Sequence, residues 1–134
     1  MTTHYAACRC EQLRLIAEGE PARISICHCL DCQRRTGSAF GVQARFTAEE
    51  VKIEGNCAEY ERASDAGEGR TFCFCPECGA TVFFRVAGMN ELIGVPVGAF
   101  ADPTFPAPTV SVWGRRRHPW LELPADVEQH DTDD

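Results

Sequence analysis

Arg70-Thr71-Phe72-Cys73-Phe74-Cys75-Pro76-Glu77-Cys78-Gly79 decides how the rest of the chain is read. Residues 70–74 read as a strand, and that strand runs straight into a C-x-x-C turn ending on glycine. The same C-x-C-x-x-C spacing occurs earlier at Cys27, Cys29 and Cys32, behind another short strand, Arg23 to Ile26. Near the N-terminus, Cys8 and Cys10 form a further C-x-C pair. A strand followed by closely spaced cysteines, met repeatedly, describes a small β domain held by metal knuckles.

Outward from these anchors, the pattern stays short and alternating. Gln12 to Glu18 places Leu13, Leu15 and Ala17 on one face, the period of a half-buried strand. Ala39 to Phe46 alternates through Phe40, Val42, Ala44 and Phe46. Val51 to Glu54, Ala58 to Arg62, Thr81 to Val86, Leu92 to Val97 and Val110 to Trp113 continue the series. Thr47-Ala48-Glu49-Glu50 has a capping-box pattern and reads as a brief turn. Asp31 to Thr36 reads as one helical turn ending at Gly37. Ser64 to Gly69 reads as a polar loop, and Asp102 to Pro108, with three prolines, as a surface loop. No segment keeps apolar positions at helical spacing for three turns. The predicted class is mainly β, one domain over residues 1–124, followed by a solvated and frayed acidic tail over 125–134.

Nine cysteines in 134 residues would suit a secreted disulfide framework. Here the count is odd, the spacings are tight, and residues 1–5 lack a basic region followed by an apolar one. The expectation is a cytoplasmic protein with metal-bound thiolates and no membrane segment. The net charge of −7 argues against a general nucleic-acid partner.

Zinc takes four ligands in a tetrahedron and favours thiolate. A C-x-C pair on extended backbone sends both sulfurs to one side, because strand side chains alternate. Cys8 and Cys10 therefore pair with Cys75 and Cys78 as a closed structural site. Cys27, Cys29 and Cys32 remain as a second, three-sulfur site. With three protein ligands it keeps a fourth position for water or a thiol; with Cys73, His28, Cys57 or Asp31 added, it would be closed. Cys57 reads as a free thiol, and Cys73, between Phe72 and Phe74, as a buried bystander facing the same side as Cys75.

The stretches Cys8-Arg9-Cys10, Cys27-His28-Cys29-Leu30-Asp31-Cys32-Gln33-Arg34-Arg35-Thr36-Gly37 and Arg70 to Gly79 resemble the glutathione-dependent formaldehyde-activating enzyme family, which includes the centromere protein V domain. Gly98-Ala99-Phe100, Asp102-Pro103 and Trp120-Leu121-Glu122-Leu123-Pro124 add weaker matches. Two positions depart from the pattern: Gln33 stands where arginine is common, and Cys73 where cysteine is not.

The resemblance implies a β-tent, small antiparallel sheets meeting near zinc. It implies two Zn²⁺ per chain, one structural on Cys8, Cys10, Cys75 and Cys78, one catalytic on Cys27, Cys29 and Cys32. The implied activity adds glutathione to formaldehyde, giving S-(hydroxymethyl)glutathione, formally a carbon–sulfur lyase reaction. The expected partners are a small thiol and a small aldehyde. Arg34, Arg35, Gly37 and Ser38, directly behind the knuckle, are the expected substrate contacts. His28 is read as a residue supporting the ligands, Arg115 to Arg117 as a solvated turn, and Trp113 and Trp120 as packing residues. The alternatives are a thiol carrier without catalysis and a zinc-scaffolded interaction module.

Overall fold

The computed structural model of the chain describes residues 2–63 and 69–133. Of the loop expected at Ser64 to Gly69, all but Gly69 lies outside the described residues. In chain order the strands are Thr3–Ala7 (β1), Arg14–Glu18 (β2), Arg23–Cys27 (β3), Gly41–Thr47 (β4), Val51–Glu54 (β5), Ala58–Arg62 (β6), Arg70–Phe74 (β7), Thr81–Val86 (β8), Leu92–Pro96 (β9), Val110–Val112 (β10) and Glu128–Gln129 (β11). One helix, Leu30–Thr36 (α1), interrupts them. The chain is mainly β, as its alternation requires.

Strands this short are stable only in ladders with a covered face. β1, β2 and β5 make a three-stranded antiparallel sheet, and the other eight strands a second sheet in the order β11-β10-β3-β4-β9-β8-β7-β6. The core lies between the two. Leu13, Leu15 and Ala17 are each fully buried, as their spacing predicts, and they meet Ala44, Phe46, Phe83 and Val95 of the larger sheet. Gly94 on β9 lies under the ring of Phe84. A Cβ there would come within 2.2 Å of the ring, so only glycine admits this packing.

The helix is set by its ends. Cys29 is the N-cap, its Sγ accepting from the Cys32 amide at 3.3 Å. Gly37 closes the other end at φ 73° and donates to the Gln33 carbonyl at 2.8 Å. The sequence prediction of a turn ending at Gly37 is met.

Two strands went unforeseen. β1 carries no strong alternation, and β11 lies in the acidic tail. The expectation of a solvated, frayed end is corrected by the second. β11 pairs in parallel with β10, which itself pairs in parallel with β3, so the larger sheet is not wholly antiparallel. The His130 amide donates to the Ser111 carbonyl at 2.8 Å, and the Trp113 amide to that of Thr132 at 3.1 Å. Val127 is buried with 7% exposure. An acidic composition sets solubility, whereas one apolar side chain and a ladder of backbone bonds set the position of the segment. Among the described residues, no helix is long and apolar enough to cross a membrane.

Removing residues 126–134 is expected to cost about 2 kcal/mol, the burial of one valine, before the backbone bonds are counted. Scanning calorimetry should find Tm lower by roughly 5 °C or more, given a few degrees per kcal/mol for a domain of this size. A truly solvated tail would leave Tm where it was.

Candidate metal centre and its cleft

The hairpin turns carry the first cluster. Residues 8–13 link β1 to β2, and residues 75–80 link β7 to β8. Each turn is closed by the same backbone bond, from the Cys8 amide to the Leu13 carbonyl and from the Cys75 amide to that of Ala80, both 3.0 Å. The Sγ atoms of Cys8, Cys10, Cys75 and Cys78 all lie within 4.8 Å of one another. Cys10 Sγ is 3.7 Å from both Cys8 Sγ and Cys75 Sγ. Metal–sulfur bonds of about 2.3 Å in a tetrahedron require sulfurs about 3.8 Å apart, so this donor set fits a thiolate-bound ion.

Backbone donors surround these sulfurs. The Leu13 amide points at Cys8 Sγ and the Glu77 amide at Cys75 Sγ, each at 3.3 Å. Gln12, missed by sequence reasoning, does more. Its Nε2 donates to Cys75 Sγ at 2.9 Å and to the Asn56 carbonyl at 2.7 Å, and its Oε1 accepts from the Asn56 amide at 3.0 Å. The turn after β5 is thereby tied to the metal sulfurs. Gly55 permits the approach: its φ is 103°, and a Cβ would lie 2.0 Å from the Gln12 carbonyl oxygen.

The second cluster begins where β3 ends. Cys27 is the last residue of β3, Cys29 caps α1, and Cys32 lies in the first turn of α1. Their sulfurs also lie within 4.8 Å of one another, and no fourth His, Cys, Asp or Glu joins them among the described residues. The His28 amide donates to the Val112 carbonyl at 3.1 Å, which holds this knuckle against β10.

Without an ion, the three thiols favour one negative charge. Hydrogen bonds from Cys27 and Cys32 hold Cys29 far below the usual thiol range, at about 2, while burial opposes. Cys27, which donates to Cys29, is pushed well above that range. Binding a dication would displace the remaining protons.

Of the other candidate ligands, Asp31 lines the cleft beside the cluster and stands 3.9 Å from Arg62 Nε. Cys73 is buried, but its Sγ is 3.7 Å from Glu59 Oε2 and from Arg85 Nη1, away from both clusters. Burial comes first in raising its thiol to about 12, and the neighbouring Cys57 adds to it. Cys57 is an exposed free thiol. His28 is fully buried, with Nε2 3.1 Å from Ser111 Oγ and its ring near Phe40, so it braces the knuckle from behind. Burial lowers its pKa, and the positive charge of Arg117 adds to the effect.

A cleft of about 250 Å³ opens beside Cys27, Cys29 and Cys32. Of the expected substrate contacts, Arg34 lines it, whereas Arg35, Gly37 and Ser38 do not. Arg35 lies over the Phe72 ring, 5.1 Å from its centroid, a ring that Arg62 also covers at 4.9 Å. Gly37 serves the helix end, and the Ser38 amide donates to Thr36 Oγ1 at 3.0 Å. In their place the cleft holds Arg23, Arg45, Arg62, Arg70 and Arg116, with Trp113 and Val112 as apolar wall. The basic run 115–117 is therefore only partly a solvated turn. Trp120 is 67% exposed, which corrects its reading as a packing residue.

Gln33 accounts for the orientation of Arg116. Its Nε2 donates to the carbonyls of His28, at 2.9 Å, and Arg116, at 3.2 Å. Its Oε1 accepts from His118 Nε2 at 2.9 Å. A neutral amide thus pins the turn bearing Arg116 to the knuckle.

The sequence matches the family model described as glutathione-dependent formaldehyde-activating enzyme over residues 3–116. The chain belongs to this family. That span takes in every cysteine of both clusters. A crystal structure of a Rhodobacter sphaeroides protein is similar, with a TM-score of 0.56 and 21% sequence identity over 71% of this chain and 85% of that one. At that identity the likeness shows the fold. No curated protein matches the sequence.

Gln12→Ala is expected to weaken metal binding at the four-cysteine site by about 10-fold or more, the usual cost of losing a partner to a ligand. Chelator competition measures it. Cys75→Ser should lose one ion and the cooperative melting transition together. Cys29→Ser should lose one ion and keep the transition, which mass spectrometry and thermal denaturation together would record.

Proposed function

We propose that the chain is a zinc enzyme of the carbon–sulfur lyase class, holding two Zn²⁺ and joining a small thiol to a small aldehyde such as formaldehyde. Thiolate donors at tetrahedral spacing favour zinc over harder cations. The ion on Cys8, Cys10, Cys75 and Cys78 is structural. The site of Cys27, Cys29 and Cys32 is the reactive one. The observation that carries this reading is its composition: three sulfurs face a cleft, and among the described residues no fourth His, Cys, Asp or Glu groups with them within 4.8 Å.

Cys27, Cys29 and Cys32 would hold the zinc, which would supply the acidity for a thiol to ionise near neutral pH. The rest falls to the chain. Arg34 and its neighbouring arginines bind the carboxylates of a thiol such as glutathione and set its sulfur toward the knuckle. Val112 and Trp113 keep one wall apolar. The overall change is RSH + CH₂O → RSCH₂OH. A carbon–sulfur bond forms, the carbonyl π bond opens, and the proton lost by the thiol ends on the new hydroxyl. The reverse reaction uses the same contacts.

A free thiol of pKa about 8.5 is roughly 3% ionised at pH 7, so full ionisation raises the nucleophile about thirtyfold, less the lower reactivity of a stabilised thiolate. Thiol–formaldehyde exchange, followed by NMR at low formaldehyde, is expected to run faster with protein than with Cys29→Ser. The advantage should shrink as pH rises past about 8.5, where the thiol ionises unaided. A carrier would shift the equilibrium amounts and leave the rate of approach unchanged; that outcome refutes the enzyme.

A further inference from the structure

The cleft is more cationic than a thiol like glutathione requires. Arg23, Arg34, Arg45, Arg62, Arg70 and Arg116 line it, against the carboxylates Asp31 and Asp133. Arg34, Arg62, Arg70 and Arg116 thus gather on one cleft of a chain whose net charge is −7.

The placement of these arginines is not that of a random surface. Arg62 on β6 stands directly opposite Arg70 on β7, and Arg23 on β3 directly opposite Arg45 on β4. Like charges in facing positions of an antiparallel pair destabilise a sheet. Threonine or valine in any of these places would serve the strand better. Arg70 Nη1 is shut off from solvent and has no hydrogen-bond partner among the described residues. Arg62 Nε, also shut off, has only Asp31 Oδ2 at 3.9 Å, beyond hydrogen-bond reach. Guanidinium donors shut off from solvent favour an acceptor, and an oxyanion would satisfy them.

The geometry points to a substrate thiol that carries a doubly charged oxyanion group, a phosphate ester or a pair of adjacent carboxylates, seated between Arg62, Arg70, Arg34 and Arg116 while its sulfur reaches the three cysteines. Glutathione fits this less well: its two carboxylates sit far apart, and its ammonium would meet guanidinium groups. The inference rests on the reading of the three-cysteine site as the place where a thiol docks, but binding alone tests it, without aldehyde or turnover.

Metal-loaded protein is titrated calorimetrically with 2-mercaptoethanol, 3-mercaptopropionate and mercaptosuccinate, which bring no, one and two carboxylates, and with glutathione and inorganic phosphate. Affinity is expected to climb along the first three, with mercaptosuccinate above glutathione and phosphate competing with it. Arg70→Gln should weaken both phosphate and mercaptosuccinate by about tenfold, the scale of one lost charge-assisted contact. It should hold or raise Tm, because it relieves a like-charge pair; a purely structural arginine would lower Tm and spare binding. Arg116→Gln, on a turn outside the ladders, repeats the test should Arg70→Gln not fold, and Arg85→Gln, outside the cleft, controls for general charge. Equal affinities along the thiol series, an equal loss in Arg85→Gln, or phosphate binding that leaves mercaptosuccinate undisturbed would each overturn the proposal. The last would mark the anion as a separate effector. Failure of the exchange reaction with these affinities intact would count against the enzymatic reading alone.

Discussion

The cross-sheet clasp at Cys8, Cys10, Cys75 and Cys78 is the constraint on which the rest depends. Each pair sits in the turn of a hairpin, and the two hairpins belong to different sheets. The strands have two to seven residues, so neither sheet gains much from its own ladder. The apolar residues of β2, β4, β8 and β9 hold the sheets face to face, but such packing is non-directional. An ion on these four sulfurs would add direction, fixing the mutual position of the β1–β2 and β7–β8 turns. In a chain of this size, metal binding energy is folding energy. Gln12 extends the same clasp to the turn before β6, and so to the strand that carries Arg62.

The second cluster depends on different supports. Cys27 ends a strand in the middle of the larger sheet, whereas Cys29 and Cys32 ride on a helix of seven residues. Such a helix is unstable alone. It persists because its N-cap sulfur, its glycine end and Gln33 each satisfy a terminal backbone group or a neighbour. β10 and the tail strand back the knuckle from the far side, and Trp113, at φ 58°, turns the chain so that Arg116 faces the cleft. A strained backbone at a bulky residue is kept where the surroundings over-determine it. Here those surroundings are the Thr132 carbonyl, which accepts from the Trp113 amide, and the Gln33 amide.

What was legible in the sequence is what is local. Leu13, Leu15 and Ala17 face one way because two residues make a strand period, and that needs no partner to read. The grouping of cysteines was legible because C-x-C and C-x-x-C bring sulfurs together within a few residues. The arginine cleft was not. Arg62 and Arg70 are neighbours only through the register of β6 on β7, and Arg116 arrives through a parallel pairing of β10 with β3. Residues adjacent to a knuckle in sequence looked like substrate contacts, yet a helix spreads consecutive side chains around its axis. Arg34 therefore lines the cleft while Arg35 does not. The tail misled for a related reason: its charge is local, whereas the ladder that orders it is formed with Ser111 and Trp113.

The repeated C-x-C-x-x-C spacing shows why local pattern stops short of chemistry. At Cys27 the first cysteine ends a regular strand and the next caps a helix, so all three sulfurs converge. At Cys73 the strand slips register against β8 between Cys73 and Phe74. The extra residue there is Val82 on β8, so β7 keeps its alternation, with Phe72 and Phe74 on one face and Cys73 on the other. Cys73 then packs toward Glu59 and Arg85, while Cys75 and Cys78 turn to meet Cys8 and Cys10. The first cysteine of one triplet is a ligand and that of the other is a core residue, although the spacing is the same. This difference divides the sulfurs into a set of four and a set of three. The hairpin turn brings Cys75 and Cys78 to the cluster of four, and the helix start keeps the other cluster at three, beside a cleft lined by arginines.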